Sequence, residues 1–61
     1  MTRKQLANEI FDLYKKSSKS FENANKKAWV RHLLTGDLGT GYKSLEELNA
    51  WRDRLLAEVA A

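Results

Sequence analysis

Between Ser20 and Gly36 the chain reads SFENANKKAWVRHLLTG, and its apolar residues do not lie on one stripe. At about 100° per residue, Trp29, Val30, Leu33 and Leu34 cover one broad side of a helix, while Phe21, Ala24 and Ala28 fall on the other. A helix that is apolar on two sides is normally buried between partners. Ser20 supplies a hydroxyl that accepts from the orphan amides of a helix start. Gly36 follows Leu33 and Leu34 and tolerates the left-handed turn that closes a helix. The stretch therefore predicts a helix over 21–35, the middle one of three, with both neighbours packed on it. Lys26, Lys27 and Arg31 fill the gaps, and their long stems reach water from a crowded position.

The flanks supply the two companions. Thr2 and Gln5 have the spacing of a capping box. After them Leu6, Ile10 and Leu13 recur at helical spacing, Ala7, Phe11 and Tyr14 widen the stripe, and Asn8, Glu9, Asp12, Lys15 and Lys16 sit opposite. This predicts an amphipathic helix over about 3–16. The polar run Lys16–Ser20, KSSKS, turns the chain. All three glycines lie in the second connection, Gly36–Lys43. Ser44 and Glu47 then form a second capping box, with an acidic first turn that suits the helix dipole. Leu45, Leu48, Leu55, Leu56 and Val59 face one way with Trp51 at their edge, which predicts a third helix over about 45–60. There is no proline and no alternation of β-branched residues, so no sheet is expected. The fold class is a small all-α, three-helix domain spanning 1–61. It is a bundle or a helix-turn-helix-like triangle with the middle helix central.

A chain of 61 residues makes one domain. It buries only roughly 60% of the surface it exposes unfolded, so its core is marginal. No cysteine is present to staple it by a disulfide or a thiolate zinc site. Either the helices pack well, or the protein pairs with itself or docks on something larger. The sequence has neither an apolar run long enough for a membrane span nor the apolar core of a signal peptide, and the expectation is a soluble cytoplasmic protein. Net charge is +3 and unevenly spread. Residues 1–34 carry eight basic and three acidic side chains, and residues 35–61 carry three basic and five acidic. That polarity points to an acidic partner for the first part of the chain.

Catalysis finds little support. The segment GDLGTG has the G-x-x-x-x-G spacing of a phosphate loop, but Tyr42 displaces Lys43 and Ser44 by one residue, and the loop follows a helix instead of a strand. Amides at Ser44 offer a weaker anion site that Glu46 and Glu47 oppose. His32 is the single histidine and has no cysteine or acidic pair at ligand spacing. Its expected place is partly exposed near a helix end. No enzyme activity, cofactor, metal or small-molecule substrate is expected.

Binding is the stronger expectation. Trp29 reads as core. Trp51, at the edge of its stripe, and Tyr42 read as protein-binding anchors, because a three-helix core has little room for six aromatics. The function expected is a non-catalytic interaction or regulatory module for a macromolecular partner, either another protein or a second copy, with no membrane role. The alternative is a nucleic-acid (DNA-binding) domain whose phosphate contacts come from Lys15, Lys16, Lys19, Lys26, Lys27 and Arg31, with Asn23, Asn25 or Arg31 near base edges. Against that alternative, the last helix, which enters the groove in a helix-turn-helix protein, opens with two glutamates.

Overall fold

The computed structural model describes residues 1–17, 21, 23–37, 39 and 41–60, and these form three helices. They are α1 (Arg3–Ser17), α2 (Lys26–Thr35) and α3 (Leu45–Ala60). No strand occurs among the described residues, and the all-α three-helix class holds.

Both capping boxes form. Thr2 Oγ1 accepts from the Gln5 amide at 3.2 Å, and Gln5 Oε1 accepts from the Thr2 amide at 2.8 Å. Ser44 Oγ accepts from the Glu47 amide at 3.3 Å, and Glu47 Oε1 accepts from the Ser44 amide at 3.4 Å. Each pair quiets two orphan donors. At Ser44 this also occupies two of the amides an anion there would meet, those of Ser44 and Glu47.

The middle helix departs from expectation in two ways. It starts at Lys26, five residues later than predicted, and its N-cap is Asn25, whose Oδ1 accepts from the Ala28 amide at 3.2 Å. Ser20, the expected cap, lies outside the described residues. The late start has a physical reason. Phe21 sits outside the helix and stacks on Tyr14 at a ring separation of 5.0 Å, while the Ala24 amide turns back to the Phe21 carbonyl. A helix running through Phe21 would give up this aromatic contact for a few backbone bonds.

The second departure is larger: α1, not the middle helix, is central. α1 packs against both α2 and α3, whereas α2 and α3 make no backbone approach to one another. Leu6, Ala7, Ile10, Phe11 and Leu13 of α1 are buried, against Val30 and Leu33 of α2 and Leu48 and Leu55 of α3. With Tyr14, the α1 residues span an arc of roughly 160°, wide enough to serve two partners. The two-sidedness of the middle stretch disappears because Phe21 and Ala24 precede the helix and Lys26, Lys27 and Arg31 face solvent.

Five of the six aromatics form one cluster around Tyr14. Phe11 meets Phe21 and Trp29 at 5.5 Å each, Phe21 meets Trp29 at 5.6 Å, and Tyr14 meets Trp29 at 6.1 Å and Trp51 at 6.0 Å. Most are edge-to-face, the arrangement the ring quadrupole favours. The core therefore accommodates more aromatic surface than expected, with Trp29 and Trp51 each half-buried on its margin. The Trp51 indole N–H donates to Tyr14 Oη at 3.0 Å.

The α2–α3 connection is fixed at both ends. Gly36 takes φ 85°, its amide donates to Leu33, and the Asp37 amide donates to His32, which closes the helix by a Schellman turn. Arg3 then ties this connection to the start of α1. Its Nε donates to the Lys43 carbonyl and its Nη2 to the Leu34 carbonyl, each at 2.9 Å, and its guanidinium lies 4.2 Å from the centre of the Tyr42 ring.

Candidate interaction surface

The residues expected to bind a partner separate into two regions. Lys26, Lys27 and Arg31 stand on the exposed side of α2, all within its first two turns. Across from them on α1 are Lys4 and Asn8, one helical turn apart. Together these side chains edge an open groove of about 900 Å³ between the two helices. Ala28, Val30 and Leu34 supply its apolar wall, and most of the surface it presents is apolar. Asn25 and Thr35 complete the ends. Among the described residues no carboxylate lines it, although Asp12 stands beside it and accepts from Lys26 Nζ at 2.9 Å. Among the described residues, Lys4, Lys27 and Arg31 are in no ion pair.

The other basic residues expected at the site are not lining it. Lys15 and Lys16 are exposed in the last turn of α1, where they complement the helix dipole. Lys19 lies outside the described residues. Asn25, expected near base edges, has its carbonyl oxygen engaged in capping α2. Lys4 and Asn8 were not singled out from the sequence. Their i, i+4 spacing on the polar side of α1 is a signal, but one that any solvated face gives.

Trp51 and Tyr42 do not come together in one patch. Trp51 edges a shallow dent of about 270 Å³ with Lys43, Glu47, Ala50 and Arg54, and its indole N–H is engaged by Tyr14. Tyr42 is 66% exposed and does not line that dent, and Arg3 rests against its ring. On α3, the predicted stripe is split. Leu48 and Leu55 are buried, but Leu45, Leu56 and Val59 are exposed, because α1 covers only one side of the helix and α2 does not reach it. On the flank towards α1, Arg52 donates to Glu9 at 2.9 Å, to Asp53 at 2.9 Å and to Asn49 at 2.9 Å.

His32 sits in the last turn of α2 and is partly exposed, with Nδ1 3.7 Å from an Asp37 carboxylate oxygen. Asp37 also accepts from Thr35 Oγ1 at 3.0 Å. No group of three or more His, Cys, Asp or Glu among the described residues is placed to hold a metal ion. No helix of the described residues is long and apolar enough to cross a membrane.

No family model matches this chain, and no curated protein or solved structure is similar enough to it to count as a match.

Proposed function

We propose that this chain is a non-catalytic interaction module that binds an acidic segment of another protein chain in the groove between α1 and α2. One observation carries this: an apolar wall of Ala28, Val30 and Leu34 is edged by Lys4, Lys26, Lys27 and Arg31, with no carboxylate lining it among the described residues. An amphipathic helix with acidic flanks uses both features, laying apolar side chains on the wall and pairing its carboxylates with the rim. A phosphate backbone uses only the cations and leaves the apolar wall against water. That difference puts protein ahead of nucleic acid as the ligand class. Trp51 and Tyr42 are secondary in this reading, since Tyr14 and Arg3 already engage them.

The test is a titration of the ¹⁵N-labelled protein with a synthetic Leu/Glu amphipathic helical peptide, and in parallel with a DNA duplex and a single-stranded oligonucleotide. The peptide is expected to shift the amides of Asn8, Lys27, Ala28, Arg31 and Leu34, and Lys27→Glu/Arg31→Glu is expected to abolish those shifts. Salt-dependent binding of either oligonucleotide with no response to the peptide would overturn the reading in favour of nucleic acid.

A further inference from the structure

We propose that the occupant of the α1–α2 groove is the outer face of α3 from a second copy of this chain. This rests on the groove being a protein-binding site, and it names the partner. Leu45, Leu56 and Val59 stay exposed on α3, at 45%, 45% and 37%. By helix register they fall within roughly 60° of one another on one face of α3, with Arg52 on that face between Leu45 and Leu56.

The charged groups around that face are acidic in balance. Glu9 and Asp53 both accept from Arg52, which lies on the same face, and Glu46 follows Leu45 in the first turn. Three carboxylates against one guanidinium leave an excess of two negative charges. The groove is the converse. Among the described residues, Lys4, Lys26, Lys27 and Arg31 against Asp12 leave an excess of three positive charges around an apolar wall. Apolar area therefore faces apolar area and each charged rim faces its opposite, which favours this pairing over either surface meeting itself.

The topology lets both contacts form at once. Asn8 lines the groove and its neighbour Glu9 edges the α3 face, so the two surfaces flank the same solvent-exposed side of α1. Two copies related by a two-fold axis would seat each α3 face in the other's groove, which closes the pair and leaves neither surface open.

Sedimentation velocity from micromolar to millimolar protein tests this. The wild-type chain is expected to pass from monomer to a discrete dimer. Leu56→Ser removes apolar contact from an exposed site and is expected to weaken the dimer at least about tenfold. Lys27→Glu/Arg31→Glu and Glu46→Lys/Asp53→Lys should each be monomeric alone and form a heterodimer when mixed, because the reversed charges match again. Circular dichroism confirms that each variant is folded. A wild-type chain that stays monomeric throughout, or reversed variants that fail to pair, would overturn the second-copy assignment. Open-ended species would overturn the two-fold arrangement. The Leu/Glu peptide separates this from the reading beneath it. If the chain is monomeric but the peptide still shifts Lys27 and Arg31, only the occupant is wrong. If neither binds, the groove itself is not a protein site.

Discussion

At the scale of single residues, Gly36 and Tyr14 each combine two demands in one place. Gly36 and Gly39 adopt almost the same left-handed backbone, φ 85° and 83°, yet their surroundings differ. A Cβ at Gly39 would meet open space, whereas one at Gly36 would lie 2.8 Å from the Tyr42 nitrogen and 3.0 Å from the Gly41 carbonyl carbon. Backbone atoms cannot swing aside as a side-chain tip can. Gly39→Ala is therefore expected to lose about 1 kcal/mol, the left-handed penalty alone. Gly36→Ala should lose at least about twice that, by the added crowding at the cap. Urea titration of both variants reads the difference, and equal losses would mean that the loop yields freely at Tyr42. Tyr14 contributes a ring to the aromatic cluster and an oxygen to the Trp51 indole. Tyr14→Phe keeps the ring and leaves a half-buried donor unpaired, which is expected to cost about 1 kcal/mol. For a domain of this size that is a fall of roughly 4–8 °C in melting temperature. The Trp51 indole proton resonance should move while that of Trp29 stays near its place, since only Trp51 loses its partner.

At the scale of elements, what was legible in the sequence was what is decided within four residues. The capping boxes at Thr2 and Ser44 form as their spacing predicts, and so does the Gly36 stop, because each needs only its own turn. The start of α2 was not legible in the same way. Asn25 caps it, and Phe21 stays outside the helix against Tyr14, a preference that exists only once α1 is beside it. The central role of α1 was misplaced for a related reason: a two-sided apolar pattern in residues 21–35 counted Phe21 and Ala24 as helical. The Arg3 clasp was invisible, since its acceptors lie 31 and 40 residues away. The groove was half legible: Lys26, Lys27 and Arg31 stood out as basic, but only the packing of α2 on α1 sets Lys4 and Asn8 opposite them. Arg3 now invites its own test. It joins the end of α2 to the start of α3 through two carbonyls that a single ammonium cannot span in the same fork geometry. Arg3→Met retains the apolar stem and is expected to lose about 2 kcal/mol, below the full value of two charge-assisted bonds because the site is only partly buried. Arg3→Lys should fall between the two. Amide exchange should quicken at the last turn of α2 and the first turn of α3 but not in the middle of α1, and uniform quickening would show that Arg3 supports the whole domain instead of the connection.

For the whole molecule, stability and association are linked through the small size of the core. Among the described residues nine buried apolar side chains hold the three helices together, and five of them belong to α1. A domain of this length has a net stability of roughly 3–9 kcal/mol, so a second copy bound only to the folded state shifts the balance measurably. Each tenfold rise in protein concentration above the dissociation constant adds up to about 1.4 kcal/mol per dimer, or about 0.7 kcal/mol for each protomer. On this scale the melting temperature should climb by a few degrees per decade of concentration, roughly 3–6 °C. Lys27→Glu/Arg31→Glu should abolish that slope. Its melting temperature at the lowest concentration should stay close to that of the wild type, since both side chains are exposed and outside every ion pair among the described residues. A calorimetric series across concentrations, run on both chains, separates the two contributions. A wild-type melting temperature that is flat with concentration would show that α1 and the core around it hold the fold unaided. A slope that survives the charge reversal would place the contact on some face other than the α1–α2 groove.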